Sequence, residues 1–225
     1  MPEQRALPFR QRGGRRPGAG RKPKGPQAGV GHRERSALAS RFPVHVTMKV
    51  QRGLPRLRSR SEYAALRAAF AAGCDRHGFR LTHYAVLNDH LHLLVEGSGR
   101  EAVVRGLQGL LIRVAKALNK LWGRKGSVFG DRYHDHVLKT PREVRMAVRY
   151  VLTNGWKHAR QAGAREGAVP LDMFTSGPWF DGWREEVNVL GLEAEVRPVA
   201  GARTWLLATG WRRLGLLSVF ERAAG

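Results

Sequence analysis

The sequence predicts an α+β protein: a ferredoxin-like βαββαβ plate with one added C-terminal helix. Three observations predict it. Between residues 43 and 158 the apolar pattern switches between period 2 and period 3.6 in the order β-α-β-β-α-β-α. Two of the strands are separated only by Asn88-Asp89, which is turn chemistry and implies a hairpin. Basic charge is concentrated in the same region, and this plate is a scaffold that many nucleic-acid-binding modules use.

The elements follow in order. Residues 43–50 (PVHVTMKV) are β-branched and alternating, a strand. Residues 51–61 form a basic loop, and residues 62–77 place Tyr63, Leu66, Phe70 and Cys74 at helical spacing. Residues 79–87 are the second strand, and Asn88-Asp89 turns the chain into the third, His90-Leu91-His92-Leu93-Leu94-Val95-Glu96. Residues 101–122 form a long amphipathic helix, residues 123–131 a glycine-rich basic loop, and residues 134–138 a short fourth strand. Pro141 opens the last helix, at a position where its missing N–H costs nothing, and the pattern continues to about residue 158.

Three regions result. Residues 1–36 are rich in Gly, Pro and Arg and cannot bury enough apolar surface to fold alone. They form either an AT-hook-like arm, with Arg15, Arg16, Arg21 and Lys22 directed into a minor groove, or a solvated basic tail with nonspecific phosphate contacts. Residues 37–160 are the folded basic domain. Residues 161–225 hold four of the six tryptophans and read as a small appendage packed on the plate.

The chain has 225 residues, 42% of them hydrophobic, and a formal charge of +22. Residues 1–36 carry ten Arg/Lys and two Glu, and residues 161–225 carry seven Arg/Lys and eight Asp/Glu, so +15 lies in residues 37–160. A folded domain with that excess expects a polyanionic partner, nucleic acid first. Arg52, Arg56, Arg58, Arg113, Lys116, Lys120, Arg124, Lys125 and Arg132 are candidate phosphate contacts in its loops and long helix. The single cysteine, Cys74, excludes an internal disulfide and a cysteine-built zinc site. No apolar run approaches the roughly 20 residues of a membrane span, and no apolar segment follows the N-terminal arginines, so a soluble intracellular protein is expected.

Side chains alternate faces along a strand, so His90 and His92 share one face while Leu91, Leu93 and Val95 pack behind them. Two neutral imidazoles can share a divalent metal but do not fill its shell. The last helix offers Tyr150, Asn154 and His158 at i, i+4 and i+8, one face of a helix beside the His90/His92 strand. Tyr150 is the candidate nucleophile and Asn154 the candidate further ligand. Arg145, Arg149 and Lys157 supply positive surroundings, with Arg149 and Lys157 as candidate DNA contacts. A second pair, His134 and His136, flanks Asp135, whose acidity argues for a sheet edge or a DNA-facing loop. Tyr63 and Tyr84 fit core packing, and Tyr133 is placed to stack on a base.

His90-Leu91-His92 with Tyr150 on a later helix resembles the HUH superfamily of single-strand nucleases. Arg149-Tyr150-Val151-Leu152-Thr153-Asn154 resembles the signature of REP-associated tyrosine transposases, as does the stretch from Gly126 through Phe129 to Arg132-Tyr133. The likeness spans roughly residues 41–160 and departs where the usual proline after the asparagine is Gly155. The resemblance implies His90, His92 and Asn154 as ligands of Mg²⁺ or Mn²⁺. It also implies attack by Tyr150 on single-stranded or hairpin DNA, with a 5′-phosphotyrosyl intermediate. A monomer or homodimer in the bacterial cytoplasm, associated with the nucleoid, follows from it. Two alternatives stand beside it: a DNA-binding regulator on the same plate, and a phosphodiesterase that uses water.

Overall fold

In the computed structural model, residues 37–153, 171–187 and 196–221 are described, all within the unit Glu34–Gly225. The predicted arm with Arg15, Arg16, Arg21 and Lys22 lies outside the described residues, as do Asn154, Lys157 and His158.

Two of the three helices of the plate begin where a side chain satisfies one of the first N–H groups. Helix α1, Arg60–Ala71, starts after Ser59, whose Oγ accepts from Glu62 N. It ends earlier than the predicted residue 77, because residues 75–76 turn into a two-residue strand, β2 (Asp75–Arg76), that the apolar pattern does not reveal. Helix α2 spans Arg100–Leu121 and buries Val103, Leu107, Leu110, Val114 and Leu118 along one stripe. Helix α3, described over Pro141–Thr153, opens with a capping box. The Glu143 carboxylate accepts from Lys139 N and Thr140 N, and Thr140 Oγ1 accepts from Glu143 N. This reciprocal cap sets the start of the helix that carries Tyr150.

Strands β1 (Val44–Lys49), β3 (Phe79–Val86), β4 (His90–Gly97) and β5 (His134–Val137) join β2 in one sheet of order β2-β3-β4-β1-β5. The described neighbours are antiparallel, and β4 lies between β1 and β3, the split βαβ arrangement of a ferredoxin-like plate. The fold is α+β, as expected. On one face α1 and α2 cover Val44, Val46, Leu91, Leu93 and Val95. On the other, α3 covers Ala85 and Leu94. A β-bulge between Leu81 and His83 shifts the parity of β3, so Phe79 and Leu81 share a face with Tyr84 and Val86.

Residues 171–187 and 196–221 pack on the α3 face and along β3. Phe180, Trp183, Leu206, Leu207, Trp211 and Leu217 complete the second core with Val144, Val148 and Val151. Phe180 stacks on Trp211 at 5.5 Å and meets Trp183 edge-on at 5.0 Å. Thr204 caps a short helix, α4 (Trp205–Ala208), which runs into a 3₁₀ turn, Gly210–Leu214. One buried carboxylate ties this region to the sheet: Glu96 accepts from Arg80 Nε, Arg203 N, Thr204 N and Thr204 Oγ1 at 3.0, 2.9, 2.8 and 2.6 Å. No helix among the described residues is long and apolar enough to cross a membrane.

Candidate active site

The register of β1 against β4 sets Thr47 opposite His92 and His45 opposite Leu94. His45, Thr47, His90 and His92 therefore occupy one face of the sheet, the one that α3 crosses. His90 Nε2 and His92 Nε2 are 3.2 Å apart, and the Tyr150 hydroxyl is 3.4 Å from His92 Nε2. His92 is buried, whereas His90 and Tyr150 are part-exposed. The three polar atoms thus converge on the sheet face, with His90 and Tyr150 partly reaching solvent.

The other nitrogen of each imidazole is engaged. His90 Nδ1 donates to Asp89 Oδ1 at 2.7 Å, and this hydrogen bond is the main reason the Asp89 carboxyl lies below its usual range. His92 Nδ1 lies 3.1 Å from Thr47 Oγ1 and 3.2 Å from His45 Nε2. Burial, with a smaller contribution from the nearby His136, pushes the His45 pKa down to about 4, so His45 is neutral at physiological pH and can accept from His92 Nδ1–H. Where both Nδ1 atoms donate, both Nε2 atoms present lone pairs, the tautomer a metal-ligating histidine needs.

Two such lone pairs 3.2 Å apart repel unless a proton or a cation lies between them. Around an octahedral ion with ligands at about 2.1 Å, neighbouring donor atoms sit about 3.0 Å apart. The separation of the two Nε2 atoms fits adjacent positions on such an ion. Among the described residues no group of three His, Cys, Asp or Glu side chains gathers at one point. Asn154, the predicted further ligand, lies outside the described residues.

The arginines near Tyr150 are arranged differently from the sequence expectation. Arg145 and Arg149 bind Glu221 from the C-terminal region: Arg145 donates at 2.7 and 2.9 Å and Arg149 at 3.0 Å. These bonds, led by Arg145, hold the Glu221 carboxyl below its usual range. Arg149 Nε is buried without a hydrogen-bond partner among the described residues. Positive charge beside Tyr150 is therefore half neutralised by a residue that sequence reasoning did not connect to it.

Among the other candidates, Arg52, Arg56, Lys116, Lys120, Lys125 and Arg132 are exposed. Arg124 donates to Asn119 Oδ1 and Ser127 O, ordering the loop after α2. Arg58 makes a two-pronged pair with Asp172, donates to Val86 O and lies over the Phe174 ring. It clamps the C-terminal region to the sheet. Arg113 sits on the opposite face of the sheet from the histidines, beside a cleft of about 630 Å³ shared with Arg76 and Arg105. Tyr63 and Tyr84 hydrogen-bond to each other at 2.9 Å in the core. Tyr133 also packs, partly buried, against that core, with its hydroxyl buried. Asp135 pairs with Arg100 at 2.6 Å, while His134 and His136 are exposed on β5, the sheet edge.

His45, Thr47 and Glu221 were missed. The alternation of Val44, His45, Val46 and Thr47 shows that His45 and Thr47 share a polar face. Only the strand pairing shows that this face meets His92. No local signal marks Glu221.

No family model matches the chain, and no curated protein matches it in sequence. Solved structures do match. A REP-associated tyrosine transposase bound to a REP hairpin superposes with a TM-score of 0.50 at 17% identity, over 65% of this chain and 82% of that one. A "putative transposase" from Deinococcus radiodurans overlaps with a TM-score of 0.38 at 12% identity, over 60% of this chain and 98% of that one. A bacterial tRNA(His) guanylyltransferase-like protein in complex with GTP overlaps with a TM-score of 0.37 at 13% identity, over 58% of this chain and 72% of that one. The chain has a transposase-like fold.

Proposed function

We propose that this chain is a metal-dependent, single-tyrosine DNA transposase of the REP-associated type, which cuts and rejoins single-stranded DNA beside a hairpin. The observation that carries the reading is the convergence of His90 Nε2, His92 Nε2 and the Tyr150 hydroxyl on one face of a basic domain. A module that only binds DNA has no need of that trio. The likeness in fold to a transposase bound to a REP hairpin supports a DNA hairpin as ligand.

In the proposed step the Tyr150 oxygen attacks the scissile phosphorus and the bond from phosphorus to the 3′ oxygen breaks. The phenol gives up its proton and the departing oxygen gains one. The products are a 5′-phosphotyrosyl link and a free 3′-OH, and attack by a 3′-OH on that link rejoins strands without a nucleotide cofactor. His90 and His92 would hold Mg²⁺ or Mn²⁺, which supplies charge neutralisation at the phosphate. Asp89, Thr47 and His45 keep the two imidazoles in the ligating tautomer. The α3 capping box and the packing of Val148 and Val151 fix the helix that aims Tyr150.

The test is a denaturing gel for a covalent protein–DNA adduct, with labelled single-stranded hairpins and Mn²⁺ or Mg²⁺. The wild type should form the adduct and Tyr150→Phe should not, with DNA affinity nearly unchanged. Cleavage by Tyr150→Phe at the normal rate refutes the nucleophile. Tight hairpin binding with no cleavage by the wild type gives the regulator reading instead.

A further inference from the structure

Beside Tyr150 a cleft of about 350 Å³ opens between β5 and α3. Its volume lies within the roughly 300–1,000 Å³ of small-ligand pockets. The floor is apolar, formed by the buried Leu138 and Ala147. One wall is imidazole: His136 is paired across the ladder with His45, and both line the cleft. The other wall includes Met146, one turn before Tyr150 and 45% exposed although apolar. This methionine shares a concave site with the candidate nucleophile, and its polarizable thioether is suited to contact with an aromatic ring.

The charged groups at the rim identify what that occupant is not. Arg149 is bound to Glu221 through Nη1 and its Nε atom is buried, and the Glu143 Oε2 atom is committed to the Lys139 and Thr140 N–H groups just before α3. The cleft therefore offers an incoming strand flat, weakly polar surface rather than cationic hydrogen-bond donors. That surface suits a π-face and not a phosphate.

We propose that this cleft receives one unstacked nucleobase of the strand that Tyr150 attacks, held between the His136 imidazole and the Met146 side chain. The base belongs to a nucleotide flanking the scissile phosphate, because Tyr150 forms part of the same wall. This rests on the cleavage reading only in naming that strand. Seating a base here anchors the backbone on one side of the nucleophile, which is the positioning an in-line attack needs.

The test is equilibrium binding by fluorescence anisotropy with two probes of equal length: a labelled single-stranded oligonucleotide, and an abasic oligomer with the same phosphate backbone. The wild-type full chain is compared with a His136→Ala/Met146→Ala variant, both side chains being surface-exposed so that folding is spared. Removal of one base–side-chain stack should weaken binding of the base-bearing strand by about fivefold or more. Affinity for the abasic strand should be the same for both proteins. Equal weakening on both probes would mean a backbone contact and overturns the proposal, as would no change on either. Base-dependent loss in the variant together with no adduct in the wild type removes the cleavage reading and leaves the base site. An adduct with no base-dependent loss does the reverse.

Discussion

Removing the two acceptors behind His92 should weaken metal binding in a way that single substitutions do not. His92 Nδ1 has Thr47 Oγ1 at 3.1 Å and His45 Nε2 at 3.2 Å. In Thr47→Val, a near-isosteric change, His45 still accepts from Nδ1–H, so the affinity for Mn²⁺ should fall by less than about threefold. His45→Phe keeps a ring in the same place and leaves Thr47 as acceptor, with a similarly small effect. In the double variant the N–H is buried without a partner, at about 1–3 kcal/mol. The imidazole then gains by moving its proton to Nε2, the ligating atom, and affinity should drop about tenfold to a hundredfold. The signature is therefore strong non-additivity in a double-mutant cycle, read by titration calorimetry with Mn²⁺. Thermal unfolding of each variant checks that the sheet is intact. Simple additivity, or tighter binding in Thr47→Val, would refute the reasoning, because it would mean that Thr47 O–H donates to Nδ1 and that Nε2 already carries the proton.

Other expectations follow from the same geometry. His92→Ala should lose metal-stimulated cleavage, and unchanged metal dependence would move attention to His134 and His136. Glu96→Leu strips the acceptor from four donors, including Arg80, and should destabilise the fold by about 3–5 kcal/mol in urea titrations; a loss under about 1 kcal/mol contradicts its role as the clip on the C-terminal region. Burial holds His45 and His83 near pKa 4, below the unfolded value near 6.5, so the unfolded chain takes up protons first as the pH falls. Stability is then full above about pH 6.5 and lost progressively toward pH 4, by up to roughly 3 kcal/mol per histidine, and a flat profile between pH 7.5 and 4.5 contradicts it. Replacing the exposed Arg52 and Arg56 with serine should lower the slope of log affinity against log salt on single-stranded DNA, by about 0.7 for each phosphate those arginines neutralise. An unchanged slope removes that loop from the interface.

Much of the fold is written in local chemistry that the sequence carries alone. Period-2 and period-3.6 patterning placed β1, α1, β3, β4, α2, β5 and the start of α3 to within a few residues except at the end of α1. There the two-residue β2 is too short to leave a period. The predicted end of α3 lies outside the described residues. The parity of His90 and His92 put them on one face, and the spacing of Val144, Val148 and Val151 fixed which side of α3 is buried. Charge counting located the basic domain. Which faces meet is a property of the tertiary structure. His45 and Thr47 reach His92 only because β1 pairs with β4 across 47 and 45 residues of chain. Glu221 reaches Arg145 and Arg149 across 76 and 72. Arg58 reads as a loop cation in sequence and becomes a clamp through Asp172, 114 residues on. Such pairings depend on strand order and on packing summed over the whole core, while any one residue's pattern reports only on its neighbours a few positions away.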